Sequence, residues 1–147
     1  MIKLKSKDKR SARIIALQLI YANELAGSNI DTTSELMIDE EDFLSKDIIQ
    51  YGKRLSTLVI DNGIETDKLI KDRSHNWDFN RIAIIDKLIL KLALVEMIYI
   101  KDVPPKVSIA ESVEIAKKYS TNDSSSFING ILDSVYNGVI IKKEKIQ

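Results

Sequence analysis

The sequence contains no cysteine and only one histidine among its 147 residues. Without cysteine the chain has no disulfide, no thiol nucleophile and no cysteine-ligated zinc site, which is consistent with a reducing cytoplasm. His75 is the single histidine, and one histidine cannot form a two-histidine metal site, so we interpret it as an exposed turn residue. The four consecutive acidic residues at 39–42 would point in different directions on a helix and could not converge on one ion. We therefore expect no metal centre.

Glycine-rich phosphate-binding motifs are also missing. The five glycines never occur as G-x-G, and no G-K-S or G-K-T sequence is present. Such motifs bring backbone N–H groups close to nucleotide phosphates, so the sequence encodes neither a dinucleotide site nor a P-loop. Ser124, Ser125 and Ser126 have no second histidine to activate them, and we interpret them as capping and turn residues. We therefore expect no cofactor and no enzymatic activity.

No apolar run approaches the ~20 residues that a membrane-spanning helix requires, and the N-terminus has no apolar signal region. We therefore expect a soluble, cytoplasmic protein with no membrane partner. A chain of 147 residues can bury a sizeable core without disulfides or metals, and at this length we expect one domain spanning residues 1–147.

Charge is balanced overall but unevenly distributed. The 22 basic and 22 acidic residues give a formal net charge of zero. Residues 1–13, which include a basic N-terminal arm at residues 1–10, carry a net charge of +5; the basic tail at residues 142–147 carries +2, which leaves −7 on the remainder. This asymmetry predicts an anionic partner for the arm and a cationic partner for the acidic body. The charge of the arm alone is equally consistent with a disordered terminus that only keeps the protein in solution.

Apolar residues recur at helical spacing along most of the chain, and no segment is a candidate strand. Helices are predicted from Ser11 to Leu25 and from Ser45 to Gly63, and the clustered polar residues from Gly27 to Thr33 predict a loop. The strongest periodicity lies between Asp78 and Ile100, where more than one face is apolar, which predicts a centrally buried helix. Pro104 and Pro105 should end that helix. We predict an all-α fold of about six or seven helices in two packed bundles.

Two further helices and a polar turn are predicted between Lys106 and Val135. Ser108 and Glu111 have the S-x-x-E spacing of a capping box, which predicts that a helix begins there and continues to about Ser120.

The side chains of this stretch also predict how its helices are stabilised. Glu114 and Lys118 have the spacing of a helical ion pair. The side-chain oxygens of residues 121–123 are expected to cap the second helix. Gly130 lies in the interior of that helix, where glycine is unfavourable, and we interpret it as a close approach of two backbones.

The two RNA-binding candidates that the residues themselves suggest are a helical face and a phenylalanine. The first joins the basic arm and is made of Arg10, Arg13, Leu17 and Tyr21. Phe127 lies about 100° from the apolar stripe of its helix, near the polar turn. It is either peripheral core, the commoner fate of a helical phenylalanine, or a platform on which an unpaired base stacks. Asp123 is either a helix cap or an acceptor for a base amino group.

Residues across this C-terminal stretch fall at the spacing of a known motif, roughly V-a-I-N-E-a-V-e-l-A-K followed by a polar turn and D-S-x-x-F-V-N-G-v-L-D. The matching residues are Val107, Ile109, Glu111, Val113, Ala116, Lys117, Asp123, Ser124, Phe127, Asn129, Gly130, Leu132 and Asp133. The stretch therefore resembles the NusB family of bacterial transcription antitermination proteins. It departs from that family at Ala110, where Asn is usual, and at Ser126, where a basic residue is common.

The resemblance extends along the chain from Arg10 to Val135. The N-terminal pattern A-R-x-x-A-x-Q-x-L-Y and the central patterns W-x-x-x-R, L-R-x-A-x-x-E and D-x-P are matched in order, except that Ile20 replaces the usual Leu and Lys91 the usual Arg. The matching residues are Ala12, Arg13, Ala16, Gln18, Tyr21, Trp77, Arg81, Leu90, Ala93, Glu96 and Pro104. No single motif is diagnostic, but the ordered set is specific, and it too implies an all-helical fold.

The resemblance implies a non-enzymatic factor that binds boxA-type single-stranded RNA in the transcription elongation complex. It also implies a partner, the small-subunit ribosomal protein NusE, and a role in suppressing termination in ribosomal RNA operons. The RNA-binding residues that it implies are Lys9, Arg10, Arg13, Tyr21, Asp123 and Phe127. Asp86 and Glu111 are the implied acidic contacts to the basic partner protein.

Two other classes of function fit the same residues. A structural or homodimerising helical module would form a concentration-dependent dimer and show no selectivity for RNA. An accessory RNA-binding domain for an RNA-modifying enzyme would need a catalytic partner, because the sequence contains no cofactor-binding segment.

Overall fold

The computed structural model describes residues 4–40, 45–74 and 78–146, with side chains described at 4–37, 45–74 and 78–143. Within these ranges the regular structure is entirely helical and contains no strand. The predicted all-α fold is therefore confirmed. His75, Trp77 and the acidic side chains at 39–42 lie outside the described side chains.

Seven helices of at least eleven residues form the described structure, in agreement with the predicted six or seven. They are α1 (Ser6–Ala26), α2 (Ile30–Glu40), α3 (Lys46–Asp61), α4 (Gly63–Arg73), α5 (Ile84–Tyr99), α6 (Pro105–Tyr119) and α7 (Asn122–Val135). A 3-10 turn, Phe79–Arg81, precedes α5. A π-helical turn, Tyr136–Ile140, joins α7 to the short helix α8 (Ile141–Ile146). None of the helices in the described ranges is long and apolar enough to cross a membrane.

The helices group into two compact units, Met1–Asp61 and Asn62–Gln147. Unit 1 contains α1 to α3, and unit 2 contains α4 to α8. The single-domain organisation remains a prediction.

In unit 1, α1 packs along α3, and α2 contacts both. The buried core of this unit consists of Ala12, Ile15, Leu19, Ile30, Ile48 and Ile49. The backbones of α1 and α3 come close at Gly52, where a Cβ atom would lie 2.9 Å from the carbonyl oxygen of Ala12 and 3.0 Å from Cγ2 of Ile15. Because 2.9 Å to a backbone oxygen is shorter than real Cβ contacts, only glycine fits there without a shift of the helices.

The close backbone approach that we predicted at Gly130 is wrong. Gly130 is exposed, and a Cβ atom there would meet nothing within 4 Å. The structural role assigned to that glycine belongs instead to Gly52 on α3.

In unit 2, α5 is the central helix and contacts α4, α6 and α7. Most of its middle turns are buried on several faces, as the residues Leu88, Ile89, Leu90, Leu92, Ala93, Leu94 and Val95 show. This confirms the predicted central, buried helix. It begins later than predicted, at Ile84 rather than Asp78, because Asp78 accepts a hydrogen bond from the Asn80 N–H and caps the separate 3-10 turn.

Two predicted helix boundaries in the N-terminal half also differ. Helix α1 begins at Ser6 instead of Ser11, so Lys9 and Arg10 belong to its first turns. Helix α2 begins at Ile30, inside the segment expected to be a loop, because Asn29 accepts a hydrogen bond from the Thr32 N–H at 3.1 Å and so satisfies a donor of the first turn.

The capping box predicted at Ser108 and Glu111 is wrong. Helix α6 begins one turn earlier at Pro105, where the missing N–H of proline costs nothing. Ser108 is fully buried inside the helix and donates a hydrogen bond of 2.7 Å to Oε1 of Glu96. The predicted partner of Glu114 also changes, since the ion pair is formed with Lys117 at 3.3 Å.

Candidate nucleic-acid interface

The N-terminus of α7 is held by a relay of three hydrogen bonds. Thr121 is the N-cap, and its hydroxyl accepts from the Ser124 N–H at 3.0 Å. The same hydroxyl donates to Oγ of Ser124 at 3.0 Å, and Ser124 in turn donates to Oδ2 of Asp86 on α5 at 2.8 Å. The cap of α7 is thereby fixed to the central helix of unit 2.

Asp86, at the end of this relay, is buried and not on the surface. It exposes only 6% of its area, and its Oδ1 has no hydrogen-bond partner among the described residues. We expected Asp86 to be a surface acid that contacts a basic partner, and that placement is wrong. Its position explains the burial, because Leu90 and Ala93 lie four and seven residues later on the same buried face of α5.

The two residues predicted to contact bases, Asp123 and Phe127, lie on consecutive turns of α7. Asp123 is exposed in the first turn, and the cap is Thr121, so Asp123 is not needed as a cap. Phe127 is half-buried, next to the buried stripe of Ile128, Ile131 and neighbouring residues. The relay therefore fixes the first turn of α7, which carries Asp123, and Phe127 lies one turn later on the same helix. A carboxylate that accepts from a base amino group and a ring beside it are the two elements needed to bind an unpaired base.

The predicted basic face of α1 is divided between solvent and core. Arg10 is exposed and Tyr21 exposes 40% of its area, whereas Leu17 and Arg13 are buried, with Arg13 exposing only 5%. The expected continuous ridge is therefore wrong, because the buried side of α1 is wide enough to include Arg13. Lys9 is half-buried in the first turns, next to Arg10.

Three acidic side chains in unit 2 have distinct surroundings. Glu111 on α6 is half-buried. Glu96 is almost fully buried and accepts from Ser108, so the E of the L-R-x-A-x-x-E pattern connects α5 to α6. Glu65 lies 2.9 Å from the hydroxyl of Tyr99, and this hydrogen bond, with burial and the charge of Glu65 as smaller causes, raises the pKa of Tyr99.

Thr121, one of the residues 121–123 predicted to cap α7, is its N-cap, so that prediction is confirmed. One contact of this region was missed at the level of sequence. The side-chain hydrogen bond from Ser124 to Asp86 joins positions 38 residues apart and left no local signal. In the described part of the chain, no group of three or more histidine, aspartate or glutamate side chains is arranged to hold a metal ion.

Comparison with known proteins gives matches over most of the chain. The NusB family matches residues 10–137. A transcription antitermination protein NusB from Chloroherpeton thalassium is 44% identical over 134 residues, which cover 89% of this chain and 62% of that protein. A transcription antitermination protein NusB from Symbiobacterium thermophilum is 36% identical over 138 residues, which cover 89% of this chain and 90% of that protein. The match thus spans less than two thirds of the Chloroherpeton protein.

Solved structures share the fold. A NusB structure from T. maritima superposes with a TM-score of 0.77 at 28% identity, covering 93% of this chain and 94% of that one. A chain from a structure of the antitermination factors NusB and NusE in complex with dsRNA superposes with a TM-score of 0.79, covering 90% of this chain and 98% of that one. At 24% identity, the second likeness is one of fold. The family match over residues 10–137 and the identity to these relatives show that the chain belongs to the NusB family.

Proposed function

We propose that this protein is a cytoplasmic transcription antitermination factor that binds boxA-type single-stranded RNA together with the ribosomal protein NusE. In this role it supports transcription of ribosomal RNA operons and catalyses no reaction. The observation that carries the proposal is the NusB family match over residues 10–137, which includes all the proposed RNA-binding residues except Lys9.

The proposed base contacts are made by α7. Phe127 stacks on an unpaired base, and the exposed carboxylate of Asp123 accepts from a base amino group. The relay from Thr121 through Ser124 to Asp86 supports this assignment, because it holds the first turn of α7 before RNA arrives and so lowers the ordering cost of binding.

The proposed phosphate contacts are made by α1. Arg10 is exposed and Lys9 is next to it, and both can approach a phosphate oxygen. Tyr21 provides an exposed ring on the same helix. Arg13 would have to leave its buried position to touch RNA, so we assign it the smallest part.

The proposed NusE contact lies on α6 of unit 2. Glu111 is half-buried on α6 and is the acidic residue that we assign to the basic partner. Asp86 is buried, and we propose that it acts indirectly by holding α7 through Ser124.

Fluorescence anisotropy with boxA-like and scrambled RNA, each with and without NusE, tests this function. We expect selectivity for the boxA-like RNA and tighter binding with NusE present. Replacing Phe127 by Ala should weaken RNA binding by ~1 to 3 kcal/mol if a base stacks there.

Phe127→Leu serves as the matched control, because leucine retains apolar volume without a ring. Loss of RNA affinity in both variants with normal thermal stability supports stacking. A Phe127→Ala variant that binds RNA normally but melts at a lower temperature would show that Phe127 is part of the core. Equal binding of boxA-like and scrambled RNA, with or without NusE, would contradict the proposed function.

A further inference from the structure

A second group of basic and aromatic side chains lies in unit 2. It consists of Lys71 on α4, Phe79 in the 3-10 turn and Lys87 on α5, and we call it the lysine–phenylalanine cluster. The ammonium of Lys71 lies 4.8 Å from the centroid of the Phe79 ring, and that of Lys87 lies 4.3 Å from it. Two cations thus share one half-buried ring. The ring attracts both through its quadrupole, which offsets part of the repulsion between them.

The charges that α4 and α5 present to each other change along the helices. Asp67 on α4 forms an ion pair with Lys91 on α5 at 2.7 Å. Four residues later on α4, and four residues earlier on α5, Lys71 and Lys87 meet at the Phe79 ring. One turn therefore has complementary charges, and the adjacent turn has two like charges.

No carboxylate of the described residues neutralises these two lysines. Neither forms a salt bridge within those ranges, in contrast to Lys53, Lys91 and Lys117. The exposed acids Asp72 and Asp78 are near in sequence, but Asp78 accepts from the Asn80 N–H as a cap. Two ammonium groups held on one ring, with no carboxylate of the described residues beside them, attract an anion that approaches both.

We propose that the lysine–phenylalanine cluster binds backbone phosphates of single-stranded RNA, as a contact additional to those of α1 and α7. The inference rests on the proposed function in taking RNA as the anion. Lysine ammonium groups bind phosphates as point charges, and basic side chains combined with an aromatic ring are typical of surfaces that follow a single strand. Phe79 is a positioning residue in this scheme, because it restrains two flexible side chains and so reduces the ordering cost of binding.

The test compares two double variants that remove the same charge from unit 2. K71Q/K87Q disrupts the cluster, and K68Q/K101Q removes two exposed lysines outside it. The probe is a boxA-like single-stranded RNA with flanking nucleotides, titrated by anisotropy at several salt concentrations. Loss of two phosphate contacts should make the slope of log affinity against log salt shallower by about 1.4 and weaken binding about twentyfold near 0.1 M salt. The control pair should change the slope by much less.

Phe79→Leu tests the part played by the ring. It retains apolar volume and both lysines, and we expect weaker RNA binding than the intact chain shows but tighter binding than K71Q/K87Q shows. Affinity equal to that of the intact chain would contradict the positioning role of Phe79.

The outcomes separate this inference from the proposed function. If the intact chain binds RNA and the two lysine pairs behave alike, the cluster is not an RNA contact. If the intact chain binds no RNA at all, the proposed function itself fails. Polyglutamate serves as a probe that represents an acidic protein. If K71Q/K87Q retains full RNA affinity but no longer binds polyglutamate, the cluster is a contact for an acidic protein and the inference is overturned.

Discussion

At the residue scale, the two helical glycines show how far a single position can be interpreted from sequence. Gly52 and Gly130 both lie within helices, and nothing in their immediate sequence distinguishes them. The difference arises from α1, whose Ala12 carbonyl lies against Gly52, while Gly130 faces open space. Sequence correctly indicates that a helical glycine is unfavourable, but only the packed neighbour decides whether it is required.

Replacing these two glycines by alanine should change stability in opposite directions. Gly52→Ala would place a Cβ atom 2.9 Å from the Ala12 carbonyl oxygen. We expect a net loss of ~1 to 3 kcal/mol in the free energy of unfolding, because overpacking exceeds the helix-propensity gain. Gly130→Ala meets no atom within 4 Å and should gain ~0.5 to 1 kcal/mol. Urea denaturation of both variants measures these changes. A Gly52→Ala protein as stable as Gly130→Ala would show that α1 and α3 adjust without cost.

At the element scale, helix existence was easier to predict than helix ends. The apolar pattern of α5 and the stripe on α7 were predicted correctly, because burial imposes a period that the sequence retains. The start of α6 was misplaced, since Ser108 has the spacing of a cap but its hydroxyl is used by Glu96 on another helix. A side-chain hydrogen bond to a distant residue competes with the local one and leaves no local signal.

The relay between α5 and α7 gives a prediction at this scale. Ser124→Ala removes the donor to the buried carboxylate of Asp86, whose other oxygen already lacks a partner among the described residues. We expect a loss of ~1 to 3 kcal/mol in the free energy of unfolding, because a buried charged acceptor is left unsatisfied. Weaker RNA binding should accompany it, since the turn that carries Asp123 is no longer held.

Ser126→Ala is the matched control for that variant. Ser126 is exposed on the same turn of α7, so its replacement should leave both stability and RNA affinity close to those of the intact chain. Urea denaturation and anisotropy should be run on both proteins. Equal stability of the two variants would mean that the bond to Asp86 contributes nothing, and α7 would then be held by its apolar stripe alone.

At the scale of the whole molecule, net charge says little about RNA binding, because the formal charge is zero. Attraction must come from local groups, and the structure divides these between the two units. Lys9 and Arg10 are on α1, and the lysine–phenylalanine cluster is in unit 2. The N-terminal group could be predicted from a run of basic residues. The cluster could not, because Lys71 and Lys87 are 16 positions apart in the sequence and meet only through the packing of α4 and α5.

The salt dependence of RNA binding tests this division for the intact chain. Phosphate contacts by Lys9, Arg10 and an Arg13 that has left its buried position would give a slope of about −2 for log affinity against log salt, at about −0.7 for each phosphate on a single strand. Adding the two lysines of the cluster makes the expected slope about −3.5. Anisotropy titrations at a series of salt concentrations measure it, and a K9Q/R10Q variant should make the slope shallower by about 1.4. An RNA affinity that does not change with salt concentration would show that neither group binds phosphates. If the slope is near −2 and K71Q/K87Q does not change it, the phosphate contacts are confined to α1. The reason is that each phosphate neutralised by a cation releases a counter-ion from the RNA, whichever unit supplies the cation.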